Sequence, residues 1–129
     1  SNPEDDKAWA QLGNMLFDVN QYANSIEAYK KSLELNPDQI GVVTDMGVMY
    51  RRNKQPRKAI EAFDKAIALD PKFETARFNK GIVLLHDLND MAGGIKAWED
   101  LVEANPLAMA PNGESVDAII QRMKAPKKQ

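Results

Sequence analysis

Three small clusters of residues in this chain could carry chemistry, and each has a plainer structural reading beside it. His86 is the single histidine and precedes Asp87 and Asp90, an arrangement that invites metal or acid–base work. A metal site needs three or four converging ligands, and one histidine makes no histidine cluster. Asp87-Leu88-Asn89-Asp90 also misses the calcium-loop spacing, because Met91 and Ala92 take the next acidic and glycine positions. Gly93-Gly94 has neither a preceding strand nor a Gly-Lys-Ser/Thr, so it reads as a turn and a small packing residue rather than a phosphate loop. Arg51, Arg52, Lys54, Arg57 and Lys58 form a basic cluster, which suits a helix C-terminus and a solvated turn. Nucleic-acid binding needs a broader basic surface with aromatic residues interleaved. No serine or cysteine nucleophile sits in a recognisable motif. The expectation is no enzyme, no cofactor, no metal and no nucleic-acid partner.

The bulk properties agree with that. The chain has 129 residues, 43% hydrophobic and 28% charged, with a net charge of −2. That is enough for one domain with a continuous core, and too near neutral for a dedicated nucleic-acid binder. With no cysteine, disulfides and thiolate metal sites are excluded, but no compartment is chosen. No apolar run approaches the roughly 20 residues of a membrane helix.

What must position any site is a repeat. Pro3, Pro37 and Pro71 are 34 residues apart, and Pro106 follows after 35. Between them recur Leu12-Gly13, Leu16, Ser25, Tyr29 and Ser32; then Met46-Gly47, Tyr50, Ala59, Phe63 and Ala66; then Gly81, Leu84, Gly94, Trp98 and Leu101. The extra residue of the third copy is expected near Asn89-Asp90, where a turn can absorb it. Within each copy the apolar spacing predicts two helices. Trp9, Leu12, Gly13 and Leu16 share one helical face; Ile26, Tyr29 and Leu33 share another; Pro37 ends the second. Mid-helix glycines at Gly13, Gly47 and Gly81 cost about 1 kcal/mol each relative to alanine, so a close neighbouring helix is expected there. Tyr29, Phe63 and Trp98 are the matching large residues. Val116, Ile119, Ile120 and Met123 predict one more amphipathic helix after the turn Pro111-Asn112-Gly113, closing the open end of the array.

The spacing W-x2-L-G-x2-Y, A-x3-F and P over 34 residues resembles the tetratricopeptide repeat family. The likeness runs from Trp9, Leu12, Gly13, Ser25, Tyr29 and Pro37, through Met46, Gly47, Tyr50, Ala59, Phe63 and Pro71, to Gly81, Leu84, Gly94, Trp98 and Pro106. It departs in copy three, where Arg77 and Lys80 stand in place of Trp9 and Leu12. The resemblance implies an all-α solenoid, a right-handed superhelix of three helix-turn-helix units: about 6–39, 40–73 and 74–108. A capping helix at about 114–124 and a disordered tail over 125–129 complete this single domain. Asn2-Pro3 repeats the boundary seen at Asn36-Pro37, so further repeats or an anchor upstream are expected.

In such repeats the first helices line a concave groove that takes peptides. Counted at about 100° per residue, the stripe beside the core face holds Ala10, Asn14 and Phe17; Thr44, Val48 and Arg51; and Phe78, Ile82 and Leu85. The resemblance adds Lys7, Gln11, Asp18, Asp45, Arg52, Thr75, Asn79 and His86. One subtype of the family clamps the C-terminal carboxylate of chaperones with lysine, asparagine, asparagine, lysine and arginine. The matching positions here are Ala10, Asn14, Asp45, Thr75 and Asn79, so only Asn14 fits and the cationic donors are missing. Phe78, Ile82 and Leu85 read equally as an apolar anchor pocket or as core. The expected function is a scaffold that binds a protein or peptide segment in the groove and assists assembly of a complex. The alternative is a self-association module, forming a homo-oligomer, of a larger protein with or without a membrane anchor.

Overall fold

The computed structural model describes residues 5–126. Its elements are α1 (Asp6–Asp18), α2 (Tyr22–Leu35), α3 (Ile40–Arg52), α4 (Pro56–Leu69), α5 (Glu74–Ile82), α6 (Met91–Ala104) and α7 (Val116–Lys124). Between α5 and α6 the helix continues as one π-helical turn, Val83–Asp87. Consecutive helices pack as antiparallel pairs, α1 on α2, α3 on α4 and α5 on α6, and each pair stacks on the next. This is the α-solenoid that the period predicts.

Helix ends follow from local chemistry. The Asp5 carboxylate accepts from the Lys7 backbone N–H at 2.9 Å and opens α1. Pro56 begins α4, where its missing N–H is no loss. The turn inside each pair needs one residue in the left-handed region, at Asn20 (φ 62°), Lys54 (φ 61°) and Asn89 (φ 52°). Those three positions are 34 and then 35 apart, so the excess residue precedes Asn89.

Backbone hydrogen bonds locate it. The Val19 and Asn53 N–H groups donate to Met15 and Met49, four residues back, whereas Leu88 donates to Val83, five back, at 3.1 Å. The extra residue therefore sits in the π-helical turn, upstream of the expected Asn89-Asp90 turn. A π turn absorbs an insertion by widening the helix without breaking it. Gly93 is likewise not in a turn: its N–H lies in the first turn of α6 and donates to the Asp90 carboxylate at 2.9 Å.

Each mid-helix glycine lies beneath an aromatic ring of its own pair. A Cβ on Gly13 would meet Tyr29 Cδ1 at 2.5 Å, and one on Gly47 would meet Phe63 Cε1 at 2.6 Å; Gly81 faces the Trp98 indole in the same way. Ser25 Oγ–H donates to the Gly13 carbonyl at 2.8 Å, so the small residue on the second helix also holds the pair together. Arg77 and Lys80, the charged residues of copy three, turn out of the core. Arg77 Nε–H donates to the Pro71 carbonyl at 2.8 Å, and Lys80 pairs with Asp64 of α4 at 2.7 Å.

The core falls into two clusters. One runs from Ile26 and Tyr29 through Phe63 to Ala76 and Val83; the other joins Trp98 and Leu101 to Val116 and Ile120. The second is closed by α7, which covers α6 as a cap. Ser115 Oγ opens α7 by accepting from the Ala118 N–H at 3.3 Å. The connector before it folds back on itself, with Val116 N–H donating to the Ala108 carbonyl at 3.0 Å. Of the tail expected over 125–129, residues 127–129 lie outside the described residues.

Candidate functional site

α1, α3 and α5 present one wall of the solenoid, and three hollows lie along it. The first, about 270 Å³, is lined by Asn14, Phe17, Asp18, Tyr29 and Asp45. The second, about 220 Å³, lies between α3 and α5 and is lined by Val48, Arg51, Arg52, Phe63, Asn79 and Ile82. The third, about 250 Å³, is lined by Glu74, Thr75, Phe78, Asn79, Leu101, Met109 and Pro111. Each lining mixes apolar or aromatic side chains with amides or charged groups.

Charge is unevenly distributed along the wall. Arg51 forms a two-pronged pair with Asp87, at 2.6 and 3.3 Å, tying α3 to the π-helical turn. Arg52 reaches back over the Phe17 ring, 4.9 Å from its centroid, and so bridges α3 to α1. Tyr29 O–H donates to Asn14 Oδ1 at 2.7 Å. Burial, followed by the negative charge of Asp45, pushes the Tyr29 hydroxyl up to about 12, so it remains a donor through the working pH range. Asp45 is half-buried beside it, and burial raises its carboxyl above the ordinary carboxylate range.

That shift has a signed consequence. A carboxyl raised in the folded state binds protons more readily there than in the unfolded chain. Stability therefore falls as pH rises from the ordinary carboxylate value through the folded value, and stays lower above it. Asp45→Asn is expected to melt higher than the parent protein at pH 7. The gap should close as the pH is lowered through the carboxylate range, as followed by thermal melts at several pH values. An Asp45→Asn melt below the parent at pH 7 would reverse the sign.

Most of the expected groove residues reach the wall, but some do not. Asn14, Phe17, Asp18, Asp45, Val48, Arg51, Arg52, Thr75, Phe78, Asn79 and Ile82 line the hollows. Lys7, Ala10, Gln11 and His86 lie outside them. Thr44 is buried, its Oγ–H turned back onto the Ile40 carbonyl at 2.8 Å. Leu85 is a correction: the π-helical turn carries it onto α6, where its Cγ and Cδ2 lie over Gly94. Phe78 serves both purposes, stacking on Trp98 with centroids 5.1 Å apart while edging the third hollow. Among the described residues no cluster of metal-ligating side chains forms around His86: Asp87 is held by Arg51 and Asp90 caps α6.

Met109 and Pro111 were not foreseen. They come from the folded connector, which carries no helical periodicity, so nothing short of the tertiary fold places them beside Phe78. Tyr29 and Phe63 were read as core, which they are, and each also lies behind the lining of a hollow.

The tetratricopeptide repeat family model matches residues 6–39 and 44–73. Over 119 residues the chain is 31% identical to anaphase-promoting complex subunit 3 of Schizosaccharomyces pombe, covering 90% of this chain and 16% of that protein. Among solved structures, the Sgt2 TPR domain from Aspergillus fumigatus superposes with a TM-score of 0.74 at 23% identity, over 92% of this chain and 76% of that one. The first TPR of Spaghetti (RPAP3), bound to the HSP90 peptide SRMEEVD, gives 0.72 at 20% identity, over 95% and 92%. At these identities the structures speak to the fold alone. The family-model match and the curated relative, together with the period, the glycine–aromatic pairs and the stacked helix pairs, establish that the chain belongs to the tetratricopeptide repeat family.

Proposed function

We propose that the inner wall binds a segment of another polypeptide, making the domain a scaffold for protein assembly. Asn79 carries this reading. It lines both the second and the third hollow, and its amide makes no hydrogen bond among the described residues. An amide free to donate and to accept, shared by two hollows that also have apolar residues in their linings, suits a peptide backbone crossing from one to the next. Ile82 and Val48 on one side, and Phe78 and Met109 on the other, supply seats for apolar side chains. The neighbouring structure with a bound peptide supports the same use of the fold. Ala10 and Thr75, standing where the carboxylate-clamp subtype has lysines, favour apolar and amide contacts over a charge clamp.

A display library of random peptides, selected on the intact chain, tests this. Selected peptides should bind Asn79→Ala about tenfold more weakly, the loss of one or two hydrogen bonds, with melting unchanged. Ile82→Asp should abolish binding while the chain still melts cooperatively. Peptides that bind both variants as tightly as the parent would remove the inner wall as the site.

A further inference from the structure

Another hollow, about 330 Å³, lies between α4 and the π-helical turn, lined by Arg57, Ile60, Leu84, Leu88 and Asp90. It shares no residue with the three hollows of the inner wall. Comparison of the repeats shows why it is open. One repeat earlier the same two apolar positions are Ile26 and Tyr50, buried to 3% and 8% exposure in the larger core. Ile60 and Leu84 are only partly buried. Leucine brings less bulk than the tyrosine ring, and Leu84 stands in the π-helical turn rather than in a regular α-helix. The junction of α4 with the third pair is therefore underfilled beside Ile60, where interiors are normally close-packed.

The free charge at its edge is positive. Asp90 is engaged as the cap of α6, accepting from the Gly93 N–H at 2.9 Å, and Asp87 is held by Arg51. The Arg57 guanidinium has no hydrogen bond or ion pair among the described residues, and neither has the Lys54 ammonium in the turn before it. The Lys58 ammonium lies over the Tyr50 ring, 5.9 Å from its centroid. Arg57 and Lys58 also occupy the first turn of α4, which holds no acidic residue, and the helix dipole disfavours cations there. An anion arriving at this edge is attracted by all of these charges.

We propose that this hollow is a second docking site, for a partner segment with a bulky apolar side chain beside a carboxylate. The apolar side chain fills the space over Ile60, Leu84 and Leu88, and the carboxylate takes the free Arg57 guanidinium. This sets its occupant apart from that of the inner wall, where Arg51 is already on Asp87 and Arg52 on Phe17.

Random-peptide selection on the intact chain, sorted on variants, tests this independently of the inner wall. Leu84→Tyr restores the ring of the preceding repeat and closes the hollow. One class of selected peptides should lose binding to Leu84→Tyr while holding Asn79→Ala as tightly as the parent. That class should set Leu, Ile, Met or Phe beside Asp or Glu. It should bind Arg57→Glu about tenfold more weakly, and bind the parent more weakly as salt rises from about 0.05 to 0.5 M. Arg57 is exposed, so Arg57→Glu should keep the parent's circular dichroism, and it decides the matter should Leu84→Tyr fold poorly. If no selected peptide distinguishes either variant from the parent, the hollow takes no partner and the proposal fails. Peptides lost on Leu84→Tyr but free of acidic residues overturn its chemistry.

Discussion

Phe63→Ala is expected to lower the free energy of unfolding by about 3–5 kcal/mol, the range for deleting a wholly buried aromatic ring. Phe63 is completely inaccessible, belongs to the larger core cluster and lies over Gly47. Glycine has no side chain to move into the vacated space, so the cavity cannot readily collapse. Against a total stability of roughly 5–15 kcal/mol, this is a large share. The effect should also change the shape of the transition. Stacked repeats are coupled mainly through nearest-neighbour contacts, and the second core, around Trp98 and α7, does not contain Phe63. In a Trp9→Phe background, which leaves Trp98 as the one indole, urea unfolding followed at once by helical circular dichroism and by fluorescence should give two midpoints in the variant, the fluorescence midpoint being the higher. Coincident transitions, shifted by less than about 1 kcal/mol, would show that the ring is not what couples the pairs.

What was legible in the sequence and what was not divide along a physical line. Proline and glycine–aromatic spacing reports the period because only small residues fit where two helices touch. Gly13, Gly47 and Gly81 therefore announced the pairs, their order and the need for a cap over α6. Counting along the chain cannot locate an insertion between two such anchors, since any place from Gly81 to Gly94 yields the same excess. Backbone bonding from Leu88 to Val83 decides it. That one displaced residue is why a position counted in regular α geometry put Leu85 in the groove when it packs on Gly94. Likewise, Arg77 and Lys80 foretold a change in copy three but not its form, because Pro71 and Asp64 are partners supplied by neighbouring segments. The wall of the site was readable wherever it came from helices and unreadable where the connector supplies Met109 and Pro111.

Two glycines in first helices should respond to the same substitution with opposite signs. Gly81→Ala adds a methyl group directly against the Trp98 indole, whose Cε2 would lie 2.9 Å away and whose Nε1 and Cδ1 would lie closer still. The ring has nowhere to go. It is stacked on Phe78, its N–H donates to the Phe78 carbonyl at 3.1 Å, and it is 4% exposed. Overpacking of this kind costs about 1–3 kcal/mol, and displacing the indole forfeits a hydrogen bond worth about 1 kcal/mol. The better helix propensity of alanine returns about 1 kcal/mol, leaving a net loss of about 1–3 kcal/mol. At Gly41 in α3 an added Cβ meets nothing within 4 Å. Only the propensity term survives there, so Gly41→Ala should gain up to about 1 kcal/mol. Urea midpoints of the two variants, measured side by side, separate packing from propensity. If both substitutions stabilise the chain, the indole is not pinned over Gly81, and the close contact that defines each pair is looser than the geometry shows.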